Sequence, residues 1–374
     1  MKKNAIQTVT ALGFCLFLGL MLLLFLLLPR QDYSQNEKRY LAEAPKLRWD
    51  TLLSGEFAGQ AENWAADHLP GRGFFVGLNA RYDLLSGRQV TKDIYVGKSG
   101  RLYEAPVEKN DAVIAARMET VNAFAAALGR PIDFALIPSA GYVLRDDMPR
   151  LSDPYPDGAI IGEAYARAGG SLQTLDLLSA FEAFEEPECL YYRTDHHWSA
   201  SGARLAAEAY LRNKGRQMPD PADYTVREIP GFYGTTYARA ALWRTPSESL
   251  ELWDSGTRFL AENRESEEVH EGLYYERRLT ENDKYPVYLD GNHSLVRIRN
   301  LDGERKGRLL VIRDSFANCM GCFLAEGYEE TVLVDLRYYK QPVSELVGSE
   351  RFDDILLIYS VGNFMTDSSL ARLE

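Results

Sequence analysis

Arg308-Leu309-Leu310-Val311-Ile312-Arg313-Asp314-Ser315-Phe316-Ala317-Asn318 is the stretch on which the reading of this chain turns. Leu309 to Ile312 form an unbroken apolar run, half of it β-branched, as expected for a strand buried on both faces. The run meets Asp314 and Ser315 and passes into an apolar helical stretch. A hydroxyl therefore stands at a strand end, beside the N–H groups of a helix start. Ser is also a frequent helix cap, so Ser315 alone leaves cap and nucleophile both open. Downstream, residues 331–336 read as a strand, 343–347 as a short helix and 354–359 as a final strand. Upstream, 112–128 reads as a helix, 132–137 as a strand ending at Pro138, and 171–184 as a helix. A strand at 190–193 and an Ala-rich helix at 199–212, capped by Ser199 or Ser201, complete the series. Apolar strands alternating with helices imply an α/β fold, with a mostly parallel sheet covered by helices on both faces.

Outside this rhythm the chain changes character. Residues 216–300 are aromatic and polar with several turns, and read as a β-rich insertion. Residues 93–103 read as a hairpin with Lys98-Ser99-Gly100 at its tip. Residues 57–85 have helical apolar spacing broken at Leu69-Pro70-Gly71, and 30–56 read as a polar juxtamembrane stalk. The expected organisation is a cytoplasmic end and transmembrane signal anchor at 1–29, a stalk and helical segment at 30–90, and the α/β domain at 91–374.

The anchor rests on residues 11–28, an 18-residue run without a charge. As a helix it reaches about 27 Å, close to a hydrocarbon core of about 30 Å. Lys2 and Lys3 precede it, which predicts a cytoplasmic N-terminus and an exported main domain. A cleaved signal peptide is the rival, but no small-residue cleavage pattern follows Leu28. The 374 residues are 46% hydrophobic and 26% charged, which excludes collagen-like and disordered classes. A net charge of −12 argues against nucleic acid as a partner. Of the four cysteines, Cys15 lies in the apolar run and Cys189 stands alone. Cys319 and Cys322 lack a second ligand pair for structural zinc, so packing or an opportunistic disulfide is expected.

Parallel sheets place their sites at strand C-termini, and three such ends carry unusual polar residues. The first holds Asp195-His196-His197-Trp198, two of only five histidines in the chain. Asp195 is two residues from His197, so a carboxylate is available to orient an imidazole base. Ser315 stands at the second. The third runs into Ser360-Val361-Gly362-Asn363, where the Asn363 amide would donate to an oxyanion beside the Ser315 N–H, or else merely mark a turn.

These residues resemble a known family. The chain closely resembles the DHHW protein family, whose motif stands here at Asp195–Trp198, and more distantly the SGNH-like O-acetyltransferase domains of alginate-modifying proteins. Further markers are residues 94–103, Gly291-Asn292-His293, residues 311–316, and Val334-Asp335-Leu336-Arg337-Tyr338-Tyr339. The resemblance implies a flavodoxin-like SGNH-hydrolase-type sheet. It also implies Ser315 as nucleophile, His197 as base and Asp195 as orienting acid, with the Asp/His pair before the Ser. Ordinary SGNH hydrolases have the opposite order, and here Arg313-Asp314-Ser315 replaces their Gly-Asp-Ser. Asn363 matches the family's oxyanion Asn by its place. Asn292, His293, His196 and Arg313 join it as candidate oxyanion- or substrate-binding residues, with turn structure the other role open to Asn292 and His293.

The combined expectation is an extracytoplasmic, membrane-anchored O-acyltransferase acting on a cell-envelope polysaccharide, without cofactor or metal. The resemblance further implies a membrane-bound O-acyltransferase partner that would supply the acyl group. Three rivals are an esterase using water as acceptor, a non-catalytic glycan-binding or assembly module, and a metal-dependent phosphoesterase using Asp195, His196 and His197 as ligands with Asp133, Asp314 or Asp335.

Overall fold

The computed structural model describes residues 2–34, 36–266, 269–302 and 305–373. They form two compact units. One comprises residues 1–88 and 238–244, the other 89–237 and 245–374. The first begins with the helix Lys2–Leu27, of which Ile6–Leu27 is long and apolar enough to cross a membrane and is not buried. The helices Trp49–Ser54, Glu56–Asp67 and Arg72–Leu85 follow. The break at Leu69-Pro70-Gly71 holds: Gly71, at φ 71°, adopts the left-handed conformation that only glycine takes cheaply.

The second unit is built on a sheet of eight strands among the described residues. In spatial order they are Val269–Glu271, Phe259–Asn263, Leu295–Asn300, Glu330–Val334, Arg308–Arg313, Asp354–Ser360, Ile132–Ile137 and Leu172–Leu175. The last five pair in parallel, and the first three extend them antiparallel. Along Arg308–Arg313, Leu309 and Val311 enter one core, while Leu310 and Ile312 enter the other. Alternate side chains of a strand point to opposite faces, so an unbroken apolar run fills both at once. Helices Ala200–Asn213 and Ala317–Leu324 pack on the first face, and Asp111–Leu128, Asp157–Ala166 and Val343–Ser349 on the second. The Asp111–Leu128 helix starts where Asn110 accepts two N–H groups and stops at left-handed Gly129, both readable in sequence.

Several local expectations are corrected. Residues 190–193 are not a strand. A 3-10 turn, Pro187–Leu190, leads into an irregular loop with an isolated bridge between Tyr191 and Trp198. Residues 171–184 are not one helix. Leu172–Leu175 is the edge strand, and Asp176 then caps a short helix, Leu177–Glu182, by accepting the Ser179 N–H. The helix Asp157–Ala166 was not expected at all. The β-rich region divides: a hairpin of Thr225–Phe232 and Glu248–Asp254 stands as its own two-stranded sheet, while the remaining strands widen the main one. All four cysteines are free, and burial pushes the Cys319 and Cys322 thiols well up, as suits packing residues.

Candidate functional site

Arg308–Arg313 delivers Asp314 and Ser315 to the C-terminal edge of the parallel sheet, and the helix Ala317–Leu324 leads away from them. Asp314 shapes the turn. Its Oδ1 accepts the Phe316 N–H at 3.0 Å, and its Oδ2 accepts from the Ser360 N–H, the Ser360 hydroxyl and the Asn363 amide, each at 2.8 Å. A buried carboxylate with four donors binds the end of the Asp354–Ser360 strand to the turn that carries Ser315.

The Asp195–Trp198 loop is locked onto the same turn. Trp198 is fully buried, and its Nε1 donates to the Phe316 carbonyl at 2.9 Å. From the other side Glu248 accepts the Arg193 N–H at 2.6 Å and the Thr194 N–H and hydroxyl at 2.7 and 2.5 Å. Between these two fixings the His197 ring reaches both of its partners. Nδ1 lies 2.5 Å from Asp195 Oδ1, and Nε2 lies 2.8 Å from Ser315 Oγ. Thr235 completes the carboxylate, giving Asp195 Oδ2 its N–H at 2.7 Å and its hydroxyl at 3.1 Å. The imidazole is sandwiched. Tyr285 stacks on it with centroids 3.9 Å apart and planes at 11°, and His196 lies 3.9 Å away.

Burial opposes ionisation of Asp195, but the charges of His197 and His196 and the bonds it accepts outweigh it. Its carboxyl is held well below the usual carboxylate range. His197 is pushed the other way, below the ordinary histidine value, by burial and by His196, against the pull of Asp195. An ionised Asp195 thus accepts Nδ1–H, and a neutral His197 turns the lone pair of Nε2 toward Ser315.

The remaining candidates fall into different environments. His196 takes Thr235 Oγ1 as partner, at 2.6 Å. Arg313 is wholly buried and donates through Nη1 to Asn292 Oδ1 at 3.2 Å, with Asp335 at 3.3 Å. Asn318 also donates to Asn292 Oδ1, at 2.9 Å. Two donors on that oxygen fix the amide of an exposed residue. His293 lies between Glu265, at 3.1 Å, and Asp290, at 3.3 Å. Asn363 gives its side-chain amide to Asp314. Asp195, His196 and His197 present ligand atoms within 4.8 Å of one another, and both Asp195 oxygens, both His197 ring nitrogens and His196 Nδ1 also take part in the hydrogen bonds above.

Thr235, Glu248 and Tyr285 escaped the sequence reading, because each comes from a distant segment with no motif around it. Gly234 had a visible signal, as a glycine directly before a Thr-Thr pair. A Cβ there would fall on the Asp195 side chain, far inside any real carbon contact. Gly234→Ala is therefore expected to destabilise the chain by about 1–3 kcal/mol through overpacking. A lowered Tm in thermal unfolding checks this, and an unchanged Tm contradicts it.

Fold and site together define an α/β domain built on a mostly parallel sheet, with Ser, His and Asp joined in one hydrogen-bonded chain. Residues 163–334, which contain both Asp195–Trp198 and Ser315, match the DHHW protein family, and residues 95–230 match the SGNH hydrolase-like domain of the acetyltransferase AlgX. Among solved structures, a DHHW family protein from Eubacterium siraeum is similar at a TM-score of 0.66 and 19% identity, over 75% of this chain and 95% of that one. PatB1 of Bacillus cereus is similar at 0.63 and 22%, over 75% and 99% of the chains. A form of PatB1 carrying a sulfonyl adduct is similar at 0.62 and 21%, over 75% and 97%. No curated protein matches the chain in sequence.

Proposed function

We propose that the chain is a membrane-anchored, extracytoplasmic O-acyltransferase that acetylates a cell-envelope polysaccharide through Ser315, His197 and Asp195. The observation that carries this reading is the unbroken chain from Asp195 through His197 to Ser315 Oγ at the C-terminal edge of a parallel sheet. The match of residues 95–230 to an acetyltransferase domain supports acyl transfer as the chemistry.

His197 Nε2 takes the Ser315 proton as Oγ attacks the acetyl carbonyl carbon. The tetrahedral oxyanion is held by the Ser315 N–H. The donor leaves with the proton held by His197, and a sugar hydroxyl then attacks the acetyl-serine by the same steps in reverse. A membrane-bound O-acyltransferase partner supplies the acyl group, and the Ile6–Leu27 helix keeps both proteins on one bilayer. Water as acceptor would make the same machinery an esterase. Acetylated oligosaccharide rather than free acetate among the products separates the two. A glycan-binding module would bind the oligosaccharide and yield neither product. A metal-dependent phosphoesterase would carry stoichiometric metal by elemental analysis.

A sulfonyl fluoride tests the nucleophile directly. The expected result is one sulfonyl group on the full chain, mapped by mass spectrometry to the peptide containing Ser315. Labelling elsewhere, or none, contradicts the assignment.

The lowered pKa of His197 sets the pH dependence. The rate of Ser315 labelling is expected to stay level across neutral pH and to fall only below the ordinary histidine range of about 6.5. Stability follows the same sign. The unfolded chain protonates this histidine at about 6.5 and the folded chain only at lower pH, so acidification through that window favours unfolding. A labelling rate that is halved at pH values above 7 would contradict the assignment of His197 as base.

A further inference from the structure

Five large apolar side chains stand in solvent along the Arg72–Leu85 helix: Phe74, Phe75, Leu78, Tyr82 and Leu85. With 3.6 residues per turn they occupy a single arc of about 100°. The opposite side is already packed. Gly77 and Ala80 are buried there, and Trp243 lies so close that a Cβ on Gly77 would meet its Cδ1 at 2.8 Å. Trp243 Nε1 also donates to the Gly73 carbonyl at 2.7 Å. The helix thus has two apolar sides, and its own unit covers only one. Leu85 is 87% exposed and Phe74 68%. An apolar stripe of this size left in water marks a binding surface.

The same unit shows what covers it. Phe25, in the last turns of the apolar N-terminal helix, meets Trp64 edge to face at 5.4 Å, and the Arg30 guanidinium lies over both rings at 4.1 and 4.8 Å. An aromatic and an arginine clustered at the end of an apolar span are the groups that settle at the boundary between hydrocarbon and headgroups. The unit therefore starts at membrane level. Arg81 flanks the exposed stripe, placed to reach phosphates while the rings beside it sink into the acyl layer.

We infer that the Arg72–Leu85 helix lies in the interfacial layer of the same bilayer, with Phe74, Leu78, Tyr82 and Leu85 immersed and Arg81 at the headgroups. This rests on the anchor reading given above and adds a second contact with lipid, parallel to the surface rather than across it.

The test uses the full chain at one copy per nanodisc, which removes contacts between copies. The lipid is equimolar phosphatidylcholine and phosphatidylglycerol, with a trace of phosphatidylcholine carrying a diazirine near the top of one acyl chain. After irradiation, lipid adducts mapped by mass spectrometry are expected in residues 6–27 and again in 72–85. Adducts in 6–27 with none in 72–85 overturn the inference and leave the anchor standing. Adducts in neither segment overturn the anchor itself. The triple variant Phe74→Ser, Leu78→Ser, Tyr82→Ser is expected to lose the adducts in 72–85, keep those in 6–27, and retain its helical circular dichroism. Wild-type labelling of 72–85 in that variant also overturns the inference.

Discussion

Replacing Ser315 with Ala is expected to abolish acetylation of the chain by a reactive acetyl ester and to lower acyl transfer on the order of 10⁴-fold or more. The size of the effect follows from the geometry. Ser315 Oγ is the group on His197 Nε2, at 2.8 Å, and Ala offers nothing to carry the acyl group. The fold should survive, since the substitution deletes one hydroxyl and leaves one imidazole nitrogen without its partner, a cost of about 1–3 kcal/mol. His197→Ala is expected to cost nearly as much as Ser315→Ala, and the double variant little more than either, because residues acting as one unit are not additive. Wild-type protein that labels no more than Ser315→Ala would show that the nucleophile lies elsewhere. Independent, additive losses would show that the two residues do not act together.

Asp195→Asn is expected to lower the acyl-transfer rate by about 10⁴-fold with little change in KM. Both carboxylate oxygens are committed to donors. Oδ1 accepts from the His197 N–H and lies against His197 Nδ1, and Oδ2 accepts from the Thr235 N–H and hydroxyl. An amide replaces one of those acceptors with a donor. Facing His197 it favours the tautomer with the proton on Nε2, which removes the lone pair that Ser315 needs. Facing Thr235 it sets donor against donor and releases the loop. Either outcome also deletes the charge that stabilises imidazolium as the proton arrives. A rate within tenfold of wild type would show that Asp195 is structural. A drop confined to KM would point to substrate binding instead.

The legible parts of this fold were those where local pattern and burial agree. Residues 308–313 carry an apolar run that only a doubly covered strand accommodates, and Asn110 and Gly129 bracket a helix with side chains suited to its ends. The errors arose where tertiary pairing overrode local preference. Leu172–Leu175 is held as a strand by its parallel partner Ile132–Ile137, in a segment whose own spacing also suits a helix. Residues 190–193 look β-rich, yet among the described residues no strand pairs with them in a ladder. Glu248 and Trp198 instead hold them as a loop. The strands within 259–300 joined the main sheet because Leu295–Asn300 found an open edge at Glu330–Val334. No local pattern reports such an edge.

The site divides along the same line. Sequence alone determined which groups were chemically eligible: a Ser at a strand end, an Asp two residues from a His, and an apolar segment able to span a bilayer. These follow from residue type and spacing, which are local. Tertiary structure decided which of them meet. His197 and Ser315 are 118 residues apart in the chain, and they touch only because Trp198 and Asp314 fix two loops against one sheet edge. It also separated the two asparagines, turning the Asn363 amide onto Asp314 and setting the Asn292 oxygen between Arg313 and Asn318. Hydrogen-bond partners across such distances are selected by packing, and packing is a property of the whole chain.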